Sequence, residues 1–233
     1  MFADPIQTLS PAPTGNGHTL QYQVLCNNEP IGHIHVQRQL VQLAGEPALF
    51  LRNQMSLRVS GLWSDYVLDS EEEMILDGQG LSRYAGLSTE DGEKAAVTGE
   101  REGGQLTVNI KEDHLRTERF QLTDIDATSE DAAVCFLRSQ RQQAVLRVLD
   151  LDHFDIDQVQ FRLLPPETLA LAGAERITQV VSFESRKRRT TGVGWYVPDG
   201  DGFILMREVS KEQDDRNEVI LNNWEHTSCN NTI

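Results

Sequence analysis

Cysteine is scarce in this chain: three residues, Cys26, Cys135 and Cys229. Three thiols cannot all pair within one chain, and no CxxC or Cys/His spacing of a structural zinc site occurs. The set reads as buried free thiols of a reducing compartment, with one disulfide plus a spare thiol as the other reading. Long apolar runs are missing as well, and nothing approaches the roughly 20 residues of a helical membrane span. Basic residues are in deficit, 21 against 36 acidic, for a net charge of −15. That field opposes nucleic acid and anionic membrane and keeps a protein in solution. Gly-x-Gly-x-x-Gly, the phosphate loop, His-Glu-x-x-His and Gly-x-Ser-x-Gly are all absent, so no nucleotide, zinc-protease or serine-hydrolase signature is present and no cofactor is implied. The first 19 residues carry Pro5, Pro11, Pro13, Gly15 and Gly17 but neither a basic start nor an apolar run. They do not read as a signal peptide, which makes a flexible arm and a cytoplasmic location the expectations.

What is present is alternation broken by turn chemistry. Leu20, Tyr22, Val24 and Cys26 alternate with other residues before Asn27-Asn28-Glu29-Pro30 turns the chain. Ile34 and Val36 oppose His33, His35 and Gln37, and Gly45-Glu46-Pro47 turns again. Leu49, Leu51, Met55, Leu57 and Val59 share one parity, which period two places on one face of a strand. Arg52, Gln54, Ser56, Arg58 and Ser60 then line a face that meets water or a polar lumen. A strand with an acidic middle runs from Tyr66 to Ile75. Asp77-Gly78-Gln79-Gly80, Glu90-Asp91-Gly92-Glu93 and Gly103-Gly104 punctuate the next strands, at Leu81 to Leu87, Ala95 to Gly99, and Leu106, Val108 and Ile110. Turns about 8–14 residues apart are the spacing of a large curved sheet or barrel.

The middle changes character. Thr128 or Ser129, then Glu130-Asp131 and Ala132 to Leu137, predicts a capped helix reaching about Arg141. Ala144 to Leu149 is ambiguous between strand and helix. Val159, Phe161 and Leu163 return to strand, Pro165-Pro166 breaks it, and Glu167 to Gly173 reads as a short helical turn or a loop. A terminal meander follows through Ile177–Glu184, Thr191–Val197, Phe203–Val209 and Glu218–Leu221, with Pro198-Asp199-Gly200-Asp201-Gly202 as a hairpin turn. With no repeat and no linker, the expectation is one mainly β domain over 20–221. It is a strongly curved antiparallel sheet or open barrel with one or two helices, flanked by the arm at 1–19 and a tail at 222–233.

Tyr22-x-Val24 before Pro30-Ile31-Gly32, Leu76-Asp77-Gly78-x-Gly80-Leu81, and the Gly194-Trp195-Tyr196 hairpin carry a resemblance. The chain resembles an uncharacterised family of bacterial domain-of-unknown-function proteins. These are similar in turn to lipoprotein-carrier-like half-barrels, whose curved antiparallel sheet wraps a helix. The likeness touches 20–221 through turn motifs. It implies a fold, supplies no catalytic residues, and departs from the family in lacking an export leader.

Four groups of residues carry candidate chemistry. His33 and His35, two apart on a strand, share a side and could begin a metal site, with His18, His114, His153 or Glu73 as third ligand; the other reading is two solvated imidazoles on a polar face. Asp150, Asp152, Asp155 and Asp157 surround His153, but lack the glycine of a calcium loop, and alternation with Leu149, Leu151 and Phe154 explains them as a wet face. No metal is therefore expected. Arg186-Lys187-Arg188-Arg189 is the one basic block on an acidic chain, suited to an acidic partner, a phosphate or the protein's own acidic surface, or else a solvated loop. The aromatics Trp63, Tyr66, Tyr84, Trp195, Tyr196 and Trp224 line a cavity or pack the sheet, with Tyr66 and Trp195 as candidate binding residues.

Three functions follow. The first is a non-catalytic binding protein that holds an apolar small molecule, a lipid or a protein partner on the concave side of the sheet. The second is an accessory subunit of a larger assembly, contacting partners or other copies of itself through the arm, the basic block and the tail. The third is a barrel-type enzyme with His33, His35 and a carboxylate in its lumen. Nucleic acid is excluded as a partner by the field and by the lack of aromatic interleaving around the basic block.

Overall fold

Two-residue turns set the architecture. Asn27 and Asn28 (φ 50° and 69°), Ala44 and Gly45 (52° and 90°), and Asp91 and Gly92 (49° and 90°) all take positive φ. Such primed turns match the twist of antiparallel strands, which is why the Asn-Asn and Asp-Gly pairs stand where they do. The computed structural model describes Leu9 and residues 13–60, 65–171, 173–200 and 202–227. Trp63, Asp201 and Cys229 lie outside the described residues, as do most of the arm and the last six positions of the tail.

The first eight strands are β1 (Pro13–Cys26), β2 (Glu29–Leu43), β3 (Glu46–Ser60), β4 (Asp65–Asp77), β5 (Gly80–Glu90), β6 (Glu93–Glu102), β7 (Gln105–Lys111) and β8 (Leu115–Gln121). A 3-10 turn, the two-residue β9 (Ala127–Thr128) and α1 (Ala132–Arg138) follow. Then come β10 (Gln143–Asp150), β11 (Asp155–Leu171), β12 (Ala174–Ser185), β13 (Thr190–Asp199), β14 (Gly202–Glu212) and β15 (Asp215–Thr227). The strand order is β8-β7-β6-β5-β4-β3-β2-β1-β15-β14-β13-β12-β11-β10-β9, which places β8 and β9 at the two edges among the described residues. The fold is thus mainly β, an open sheet with one α-helix among the described residues. Its strand pairs of known register are antiparallel except β9 with β10. Pro13–Thr19, read from sequence as arm, belong to β1, and Asn222–Thr227, read as tail, belong to β15.

The chain divides into two compact units. Unit 1 takes Met1–Gln21, Gly32–Leu122 and Trp224–Ile233; unit 2 takes Tyr22–Ile31 and Thr123–Asn223. In unit 1, register aligns Leu51, Met74, Tyr84, Gly99 and Val108 in one buried row across β3 to β7. The opposite face is apolar at the β2–β3 turn end, where Val41, Ala48, Phe50 and Ile75 cluster with Leu9 and Leu43 against them. Further along it becomes the polar face read from sequence. Arg58 pairs with Asp69 at 2.7 Å, Ser56 donates to Asp69, and Arg52 bridges Glu71 and the buried Glu73. The acidic middle of β4 therefore answers the basic residues of β3, Glu73 in register with Arg52 and Asp69 on the diagonal from Arg58.

In unit 2, α1 covers one face. Phe136 stacks on Phe161 of β11 at 5.5 Å between ring centres. Val148, Val181 and Tyr196 complete the buried cluster, with Leu146, Phe183 and Leu205 packed against it. Asp131 accepts from both the backbone N–H and the hydroxyl of Thr128. Gln140, with φ 55°, ends the helix earlier than the predicted Arg141. Cys135 on this helix is desolvated and faces Asp131, which together push its thiol up to about 12.

Two local expectations are corrected. Pro165-Pro166 does not break the strand: β11 continues to Leu171, and a register shift between Leu164 and Glu167 takes both prolines out of the hydrogen-bond ladder. Glu167–Leu171 is accordingly strand, paired with Ala174–Thr178, and neither helix nor loop. The ambiguous Ala144–Leu149 is β10. β8 carries no strand pattern in its sequence, since Arg116, Thr117, Glu118 and Arg119 show no apolar alternation.

Glu208 of β14 lies opposite Gly194 on the α1 face. Gly194 is required there, since a Cβ would come within 2.6 Å of the Tyr196 ring. Desolvation, reinforced by Glu130, pushes the Glu208 carboxyl up to about 7. An acid with a raised native pKa is stabilising below its unfolded value and costs stability as pH climbs to the native one. Glu208→Gln should match the parent below about pH 4.5. At pH 8 it should exceed the parent by about 2–3 kcal/mol in urea denaturation. In unit 1, Arg52→Ala leaves the buried Glu73 with the Leu9 N–H but without its paired cation and should lose about 1–2 kcal/mol, whereas Arg58→Ala, at its exposed pair with Asp69, should lose clearly less. Equal losses from the two arginine variants would contradict the assignment of Glu73 as buried and dependent on Arg52.

Candidate functional site on the second unit

The basic block forms the β12–β13 turn. Lys187 Nζ lies 2.8 Å from Asp155, and Arg188 reaches Asp150 at 3.0 Å and Asp155 at 2.7 Å. The Arg188 backbone N–H donates to Ser185 Oγ at 3.0 Å, and the Ser185 hydroxyl donates to Asp157. Burial opposes ionisation of Asp155, but Lys187 and Arg188 outweigh it and hold its carboxyl below the usual range. Two clusters weighed separately from sequence, the aspartates around His153 and the arginine block, are thus each other's partners. Arg186 and Arg189 remain exposed on the turn.

The other sequence candidates fall elsewhere. Trp195 sits five residues along β13 from Thr190, about 17 Å from the basic turn. Its Nε1 donates to Glu167 at 2.8 Å and Arg207 stacks over its ring at 5.2 Å. Arg207 bonds Glu218 at 2.7 Å, and Arg216 holds the other Glu218 oxygen at 2.9 Å while also reaching Asn28. Tyr66 is half-buried in unit 1, opposite Val59. His33 and His35 share one side of β2 in unit 1, rings 5.1 Å apart. His18 packs edge-on to His226 at 4.7 Å and accepts from Trp224 Nε1, while Glu73 accepts from the Leu9 backbone and His153 contacts Asp150. Among the described residues, no three His, Cys, Asp or Glu side chains come together as a metal-binding group.

One feature escaped the sequence. On the face of unit 2 opposite α1, towards the β12–β13 and β14–β15 turns, a trough of about 460 Å³ crosses the strands. Phe183, Gly192 and Ser210, which register turns towards the α1 face, line its floor. Register gives its walls: one row is Gln160, Glu184, Thr191, Lys211 and Arg216, the other Arg162, Ser182, Val193 and Val209. Arg162 and Lys211 are exposed and, among the described residues, form no ion pair, whereas Arg216 is committed to Glu218 and Asn28. No sequence signal unites these positions, which come from five strands.

Comparison with known proteins reaches the fold. No family model matches, and no curated protein does. A solved structure, described as a beta-barrel-like protein of the domain of unknown function DUF1849 from Brucella abortus, aligns with TM-score 0.63 at 9% identity. The alignment covers 91% of this chain and 98% of that one. The chain therefore shares the fold of a β-protein of unknown function, the kind of relationship that the turn motifs indicated.

Proposed function

We propose that this chain is a binding protein, and that it takes a protein partner on the face of unit 2 opposite α1. The trough carries the reading: a depression across five strands, with two exposed cations that form no ion pair among the described residues, on a protein of net charge −15. The alternative of an apolar ligand on the helix side has less support in this unit, because Phe136, Phe161, Phe183, Val181 and Tyr196 fill the space beneath α1 with the protein's own side chains. The basic turn contributes less than its composition suggests, since Lys187 and Arg188 are spent on Asp150 and Asp155. Only Arg186 and Arg189 are left to a partner there.

A photo-crosslinking residue at the exposed Thr191, in the trough wall, tests this in cells of the native host. A control at the exposed Arg138 on α1 reports the opposite face. The expected outcome is a discrete protein adduct at Thr191 and none at Arg138. No adduct at Thr191, or equal capture at both sites, contradicts the proposal.

A further inference from the structure

The charges along the trough are not interchangeable, and their spacing selects a ligand class. Arg162 stands on β11, Glu184 on β12 and Lys211 on β14. With strands about 4.8 Å apart, Arg162 and Lys211 are separated by about 14 Å across the sheet, with the Glu184 carboxylate between them. The two cations are about four residues apart in units of an extended peptide, at roughly 3.3 Å per residue. The floor runs across the strands, so a ligand lying in it meets side chains and does not extend the backbone ladder.

We infer, resting on the binding face proposed above, that the trough holds an extended protein segment bearing two acidic side chains four positions apart, with a basic side chain midway between them, so that period two turns all three to the trough. Arg162 takes the first acid, Glu184 the base and Lys211 the second acid. Ser182 and Thr191 offer hydroxyls between the charges, and Val193 and Val209 give the wall an apolar stretch. The surrounding net charge of −15 and the carboxylate in the trough disfavour a uniform polyanion, so a nucleic acid strand fits poorly. A short segment of mixed charge gains the local pairs without meeting that repulsion.

Fluorescence anisotropy with the full chain tests the spacing. The probe is a fluorescein-labelled peptide Gly-Asp-Ser-Lys-Ser-Asp-Gly, compared with Gly-Asp-Asp-Ser-Ser-Lys-Gly of identical composition. The spaced peptide should bind the more tightly, and the Arg162→Ala, Lys211→Ala double variant should lose about tenfold, the sum expected of two exposed pairs. Replacing the peptide lysine by alanine should weaken binding to the parent and not to Glu184→Gln. Arg162→Lys should keep most of the affinity, which separates charge pairing from damage to the fold. Equal binding of the two peptides, an unchanged double variant, or tighter binding of single-stranded DNA overturns the inference. If the Thr191 adduct forms while the peptides fail, the binding face stands and the ligand class is wrong. If both fail, the face itself is wrong.

Discussion

Everything in this molecule depends on strand register. Tight turns join most neighbouring strands, and a tight turn fixes which residue faces which across the pair. A slip of one residue would move every side chain to the other face. The row from Leu51 to Val108 would leave the core, and Arg52 would lose the β4 carboxylates that hold it. Antiparallel neighbours follow one another along the chain out to the edge strands β8 and β9, and the exception is instructive. The first and last strands, β1 and β15, are neighbours in the strand order, so residues far apart in sequence meet there, as where Asn27 bonds Asp215 and Arg216.

Charge follows the same rule. A chain of net −15 could have scattered its cations, yet six of them pair with a carboxylate on an adjoining strand or turn. Arg52 and Arg58 answer β4, Arg207 and Arg216 share Glu218, and Lys187 and Arg188 answer Asp150 and Asp155. Against that background, Arg162 and Lys211, exposed in one depression and without an ion pair among the described residues, stand out.

The strands that alternate cleanly were legible in the sequence. Leu49 to Val59 and Leu106 to Ile110 are strands with the expected faces, and the turns at Asn27-Asn28, Asp91-Gly92 and Gly103-Gly104 lie where their residues demand. Legibility ended where local and long-range physics diverge. Pro165-Pro166 is a strand breaker by composition, but a bulge removes the conflict. β8 shows no alternation because an edge strand buries little. The basic block and the aspartates were each visible, while their pairing was not, because the β10–β11 and β12–β13 turns are brought together only by the pairing of β11 with β12. The trough was invisible for the same reason, its walls being rows across five strands.

Cross-strand nuclear Overhauser contacts test this account most directly, because they read register. Contacts of Thr191 with Lys211 and of Val193 with Val209, alongside Ser182 with Val193, are the expected result. Contacts shifted by one residue, with Thr191 opposite Ser210, would turn Lys211 and Val209 away from the trough and contradict the account.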